Sequence, residues 1–173
     1  GSLSATVYNN GDTIRNCNIY DYFSATINSS GINILSGNTD ISVLDNKFYQ
    51  TAARTQTSGM QHLAVSVDFN LGNDFKITRN TIGYSASDGT GVYSFAGVAN
   101  SKFIPVFLNT GAVSPTSVQG NTIAGISMSG SVSGTGTVSP FIGIYCASGL
   151  VNIGNDSGNT IGNLSELNSI AFT

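Results

Sequence analysis

The residues of this chain best suited to chemistry are its carboxylates. Asp40 and Asp74 each stand directly before a short apolar run, Ile41-Ser42-Val43 and Phe75-Lys76-Ile77, and Asp12 stands before Thr13-Ile14. Two carboxylates about 5–10 Å apart can divide acid and base roles in glycoside hydrolysis. The same row, with its turn carbonyls, would also suit a Ca2+ ion. Asx residues that close turns account for these positions without any chemistry. His62 is the single histidine; with no Cys or His at metal-ligand spacing it reads as a loop or surface residue. Seven aromatics, Tyr20, Tyr22, Phe23, Tyr49, Tyr84, Tyr93 and Phe95, fall in irregular segments. Exposed in a row they would stack on sugar faces; otherwise they pack loops onto the body. Tyr20, Tyr49, Tyr84 and Tyr93 are the candidate ligand-binding rings, with Tyr49 and Tyr84 the expected exposed pair. No phosphate-binding loop, dinucleotide fingerprint, serine elbow or paired-His zinc motif is present.

The elements that must position these residues are repeats. Asn-Thr-Ile occurs at Asn80-Thr81-Ile82, Asn121-Thr122-Ile123 and Asn159-Thr160-Ile161, with looser copies at Asn46-Lys47-Phe48 and Cys17-Asn18-Ile19. The anchors are spaced 29, 34, 41 and 38 residues apart, so the variation sits in a loop. Upstream of the anchors lie apolar-x-apolar triplets: Ala5-Thr6-Val7, Ile32-Asn33-Ile34, Val65-Ser66-Val67, Ile104-Pro105-Val106 and Ile142-Gly143-Ile144. A sixth, Ile170-Ala171-Phe172, reads as the start of a further coil. Between triplet and anchor lies one inward apolar residue: Ile14, Val43, Ile77, Val118 or Ile153. Short strands of period two, turn chemistry between them and no helical period predict a parallel β-helix of about five coils, three strands each. One coil cannot bury its apolar face alone, and stacking solves this. The expected ladders are Ile14-Val43-Ile77-Val118-Ile153, Ile19-Phe48-Ile82-Ile123-Ile161 and a corner row Cys17-Asn46-Asn80-Asn121-Asn159, with Asn taking the left-handed turn. Thr81, Thr122 and Thr160 face outward beside Lys47, an arrangement that also admits an ice-binding reading. Two details test the register. Asp45 and Arg79 should face each other one coil apart. Pro105, at an outward position, should leave a gap in the ladder.

This pattern resembles the right-handed parallel β-helix repeat of the pectin-lyase-like superfamily, coil by coil over essentially the whole chain. Val118-Gln119-Gly120-Asn121-Thr122-Ile123 and Gly158-Asn159-Thr160-Ile161-Gly162 also resemble the Asn/Thr/Gly-rich repeat regions of large secreted Bacteroidetes surface proteins. The resemblance implies right-handed winding, in line with the crossover preference of parallel strands. It does not fix an activity, because the scaffold carries lyases, hydrolases, tailspikes and adhesins. Asn38-Thr39-Asp40 resembles the first motif of polygalacturonase-type glycosidases, but the paired Asp-Asp, Gly-His-Gly and Arg-x-Lys motifs are missing. The lyases of the fold use a basic residue as proton acceptor, and the loop cations here are Arg54 and Lys102.

Charged residues make up 9% of the 173 and the net charge is −3 with no basic run, which argues against nucleic acid. No apolar stretch is long enough to insert in a membrane. Cys17 and Cys146, four coils and roughly 20 Å apart, are beyond disulfide reach and read as buried free thiols. Asn28, Asn155 and Asn163 open N-x-S sequons, as expected by chance in so Asn- and Ser-rich a chain. Gly1-Ser2 reads as a tag remnant and 3–173 as one β-helix domain, a fragment of a longer array. The expectation is a non-catalytic structural or adhesive module of a secreted or cell-surface bacterial protein. Its partners would be carbohydrate along the loop edge, another surface protein, and further coils or end-to-end copies of itself. A polysaccharide lyase or glycoside hydrolase is the alternative.

Overall fold

The computed structural model describes residues 7–163 and 169–173. The fold is an all-β solenoid whose strand pairs are all parallel, each strand bonding to its counterpart one coil away. A first sheet stacks Thr13–Arg15, Ser42–Leu44, Lys76–Thr78, Thr116–Gln119 and Val151–Ile153. After a tight corner, a second stacks Asn18–Tyr20, Lys47–Tyr49, Thr81–Gly83, Thr122–Ala124 and Thr160–Ile161. Three-residue strands put one side chain inward and two outward. Both expected apolar ladders therefore form in register, from Ile14 to Ile153 and from Ile19 to Ile161. Val43, Ile77, Val118, Phe48, Ile82 and Ile123 are fully buried along them.

Each complete coil has a fourth strand that the sequence conceals. A third sheet, Arg54–Thr55, Tyr93–Gly97, Ile126–Gly130 and Ile170–Phe172, occupies what reads as variable loop. Its apolar residues alternate inward, so Tyr93, Phe95, Ile126 and Met128 are core. Ile170-Ala171-Phe172 pairs with Ile126-Ser127-Met128 and so belongs to this sheet rather than opening a sixth coil. The fourth sheet holds the longer strands Ser29–Ile34, Gln61–Asp68, Lys102–Asn109 and Ile144–Ser148. There Val106 and Leu108, not Ile104 and Val106, sit over Val65 and Val67, and Ile144 and Cys146 continue the row. The sequence register is thus two residues off in the last two coils. Of the first expected strand, Ala5 and Thr6 lie outside the described residues, as do Gly1 and Ser2.

Pro105 leaves the expected gap: the ladder passes from Ile104–Leu63 to Val106–Val65 without it, and from Ser30 to Ile32 one coil below. Pro105 is buried rather than outward. It shares this break with Gly31, where a Cβ would sit 2.8 Å from the Ala64 carbonyl oxygen.

The corner row Cys17-Asn46-Asn80-Asn121-Asn159 forms and its amides bond coil to coil, but the asparagines do not take the left-handed turn. The left-handed residues are those just before them, Asn16, Asp45, Arg79 and Gly120, with φ of 55°, 56°, 55° and 61°. The asparagines point inward, and Asn46, Asn80 and Asn121 are buried. Each carboxamide oxygen accepts the backbone N–H of the preceding rung at 2.9–3.0 Å, beginning with Cys17 N–H to Asn46. Each Nδ2 donates to the carbonyl of Ile14, Val43, Ile77 or Val118 at 2.8 Å. Asn supplies an acceptor and donors on one short stem, so a single residue type satisfies the buried backbone at every turn.

Candidate functional site

The carboxylate row is not a three-acid site. Thr13 pairs with Ser42, which sets Asp12 one residue out of line with Asp40. Gly11, Asp40 and Asp74 share the row, all left-handed, with φ of 75°, 49° and 59°. Aspartate tolerates that conformation, so backbone geometry explains its presence. Lys76 Nζ lies 2.5 Å from Asp40 Oδ1 and 3.3 Å from Asp74 Oδ1, the position a bound cation would take. Asp12 accepts a 2.6 Å hydrogen bond from Asn9 Nδ2. Among the described residues no group of three or more His, Cys, Asp or Glu side chains converges as a metal site.

Asp45 is paired as well. Arg79 grips Asp45 through two bonds, 2.7 and 2.8 Å, as the register requires, and Arg15 reaches the same carboxylate at 3.6 Å. The Arg79 contacts hold the Asp45 carboxyl below its ordinary range. Lys102 Nζ donates to the Thr137 carbonyl.

His62 is buried, contrary to the loop or surface position expected of it. It stacks on Tyr22, Phe95 and Phe103, with Phe23 edge-on. Its Nδ1 shares a 2.7 Å hydrogen bond with Ser29 Oγ, and its Nε2 bonds to the Tyr93 hydroxyl. Burial among rings penalises the charged imidazolium and pushes its pKa down to about 3. Burial raises the phenol pKa of Tyr22 and of Tyr93 in the same way. Tyr93, a candidate ligand ring, is therefore a core residue. Cys17 and Cys146 are free but exposed, not buried, because both stand on outermost rungs.

The accessible rings form a step on the loop edge. Tyr20 and Tyr49 pair in register, their centroids 5.0 Å apart and planes within 13°. Tyr20 is 54% exposed and Tyr49 half-buried. Tyr84 is not their continuation: it lies folded against Gly125, where a Cβ would meet its ring at 2.4 Å. Beside the step, Asp21 accepts hydrogen bonds from Thr51 Oγ1 at 2.6 Å and Thr51 N–H at 3.0 Å, and pairs with Arg54 at 3.2 Å. Partial burial pushes the Asp21 carboxyl up, but these contacts together outweigh it and hold the pKa below the usual range. Lys47 extends outward two residues before Tyr49, between Asn18 and Thr81.

A second aromatic pair went unseen in the sequence. Phe107 and Tyr145 are in register on the outward face of the fourth sheet, 5.5 Å apart and edge-to-face. Phe107 borders an open groove of about 190 Å³ floored by Asn33 and Ser66, with Asp68 at one end. The two-residue slip described above hid this pair; counting inward positions from Val65 and Val67 would have found it. The threonine row Thr81-Thr122-Thr160 forms in register with Lys47 and Asn18, one residue wide.

These features define a parallel β-solenoid with aromatic steps on its surface. Comparison with protein-family models, curated proteins and solved structures gave no match.

Proposed function

We propose that this chain is a non-catalytic structural and adhesive module of a secreted or cell-surface bacterial protein, binding carbohydrate along its loop edge. The Tyr20–Tyr49 step carries the reading. The Tyr20 ring, 54% exposed and backed by the stacked Tyr49, offers a flat apolar platform for the C–H face of a sugar. Asp21, Thr51 and Arg54 beside it offer acceptors and donors for hydroxyls. The platform is pre-organised, because the coil register fixes both rings and little side-chain freedom is lost on binding. The groove beside Phe107 supplies a second surface of the same chemistry.

The non-catalytic part of the reading is supported by where the charges go. A glycosidase needs one carboxyl with a raised pKa beside one that stays ionised. Here Asp40 and Asp74 both contact Lys76, while Asp21, Asp45 and Asp88 are all shifted down. We take the winding as right-handed, as parallel crossovers almost always are. Further coils, or a second copy docked end to end, would cover the exposed Ile153, Ile161 and Phe172 of the last rung.

The test is retention on an array of neutral and uronic oligosaccharides alongside a turnover assay on the same sugars. Binding without turnover, lost in Tyr20→Ala and Tyr49→Ala, is the expected result. Turnover that disappears in Asp40→Ala or Asp74→Ala overturns the proposal in favour of an enzyme.

A further inference from the structure

Inside the second coil, three polar side chains carry buried atoms with bonding capacity that no other described residue uses. Gln56 is fully buried, and neither its Oε1 nor its Nε2 meets a partner. Gln50 is 1% exposed; its Nε2 donates to the Ser94 carbonyl at 2.8 Å, and its Oε1 has no partner. Arg54 pairs with Asp21 through Nη2, which leaves its buried Nε without an acceptor. The three lie together along one strand. Gln50 reaches Ser94, Arg54 is in register with Phe95, and the Gln56 N–H donates to the Ala96 carbonyl at 2.8 Å. One coil earlier, the segment from Asp21 to Ala25 is tied to this strand through the Arg54–Asp21 pair and the Thr57 N–H to Ala25 carbonyl bond.

We infer that the lumen of the second coil binds a small cluster of ordered water, held between the Gln50 and Gln56 carboxamides and the Arg54 Nε. The chemistry of the free atoms selects the ligand. Two carbonyl oxygens seek donors, while the Gln56 amide and the Arg54 Nε seek acceptors. A metal cation would satisfy the oxygens only and would face the guanidinium. An anion would satisfy the N–H groups only and would face the two carbonyls. Water does both. Four atoms are free, and a buried water makes about three bonds on average, so a cluster rather than a single water fits. A core carries unpartnered polar groups only when something answers them. Arg54 is in register with Phe95, and the coils above are filled by Phe95, Met128 and Ile126.

A high-resolution crystal structure of the intact chain and of Gln56→Met tests this. The expected result is ordered water touching both Gln56 side-chain atoms and Arg54 Nε, with loss of the water bound to Gln56 in the otherwise unchanged variant. A wild-type structure in which the Gln56 carboxamide bonds directly to Gln50 or Arg54, with no water between, overturns the inference. So does an identical set of waters in Gln56→Met. Should that variant not fold, Gln50→Met applies the same test, and the wild-type map decides by itself.

Discussion

His62 makes the stability of this solenoid depend on pH. In the folded chain its pKa is pushed down to about 3, against 6.5 for the unperturbed side chain. The sign follows from proton binding. Below pH 6.5 the unfolded chain takes up a proton that the folded chain refuses, so stability falls as pH falls. Between pH 7 and pH 5 the loss is about 2 kcal/mol, from 1.36 kcal/mol per unit over the interval below 6.5. The aspartates with lowered pKa, Asp21, Asp45 and Asp88, lose their contribution only below their ordinary value of 3.8, so the windows separate. Urea unfolding followed by circular dichroism at pH 7.0, 6.0 and 5.0 reads the effect. With a slope of about 2 kcal/mol/M the midpoint should drop by about 1 M across that range. His62→Phe keeps the stacked ring and loses the titration. It should be less stable at pH 7, because Ser29 and Tyr93 lose their partner, but flat between pH 7 and pH 5. An equal midpoint shift in His62→Phe would refute the assignment.

Three further outcomes follow from the same structure. Asn80→Ala orphans the Asn46 N–H and the Val43 carbonyl inside the corner and should cost about 2–5 kcal/mol in urea unfolding. Cys17→Ala, on the exposed end of the same row, should stay within about 0.5 kcal/mol. Gly83→Ala places a Cβ 1.8 Å from the Ala124 carbonyl oxygen at φ of 122°, and should lower the melting temperature by an amount matching about 2 kcal/mol or more. Both thiols should react with a disulfide reagent in the absence of denaturant. The Cys146 rate should still be rising above pH 9, because partial burial lifts its pKa.

What the sequence made legible depended on periodicity. A three-residue strand has a single inward residue, so Ile14-Val43-Ile77 and Ile19-Phe48-Ile82 could be aligned only one way, and both ladders and the Asp45–Arg79 pair came out in register. A longer alternating strand can slide by two residues without exposing its core face, and Ile104-Pro105-Val106 slid in that way. The third sheet was hidden because Arg54–Thr55 is too short to show alternation and Tyr93-Ser94-Phe95 stands among Gly and Ser. The same oversight turned Tyr93 into a surface candidate and left His62 as a loop residue. At the corner, the repeated Asn drew attention away from the residue before it. That residue takes the left-handed turn as Asn, Asp, Arg and Gly in successive coils, so it leaves no motif. Of the candidate site, Tyr20 and Tyr49 were legible as candidate rings, but Tyr49 was matched with Tyr84 instead of its true ladder neighbour Tyr20. The Asp21–Thr51–Arg54 cluster beside them was not legible, because it joins loops from successive coils with no shared pattern.

The claim that the Tyr20–Tyr49 step binds sugar is tested most directly by saturation-transfer NMR on an oligosaccharide retained by the wild-type chain. The account predicts transfer from the protein to sugar C–H protons, absent in the Tyr20→Ala/Tyr49→Ala double variant and kept in Tyr84→Ala. Transfer of equal strength in the double variant, with its fold intact by circular dichroism, would contradict it.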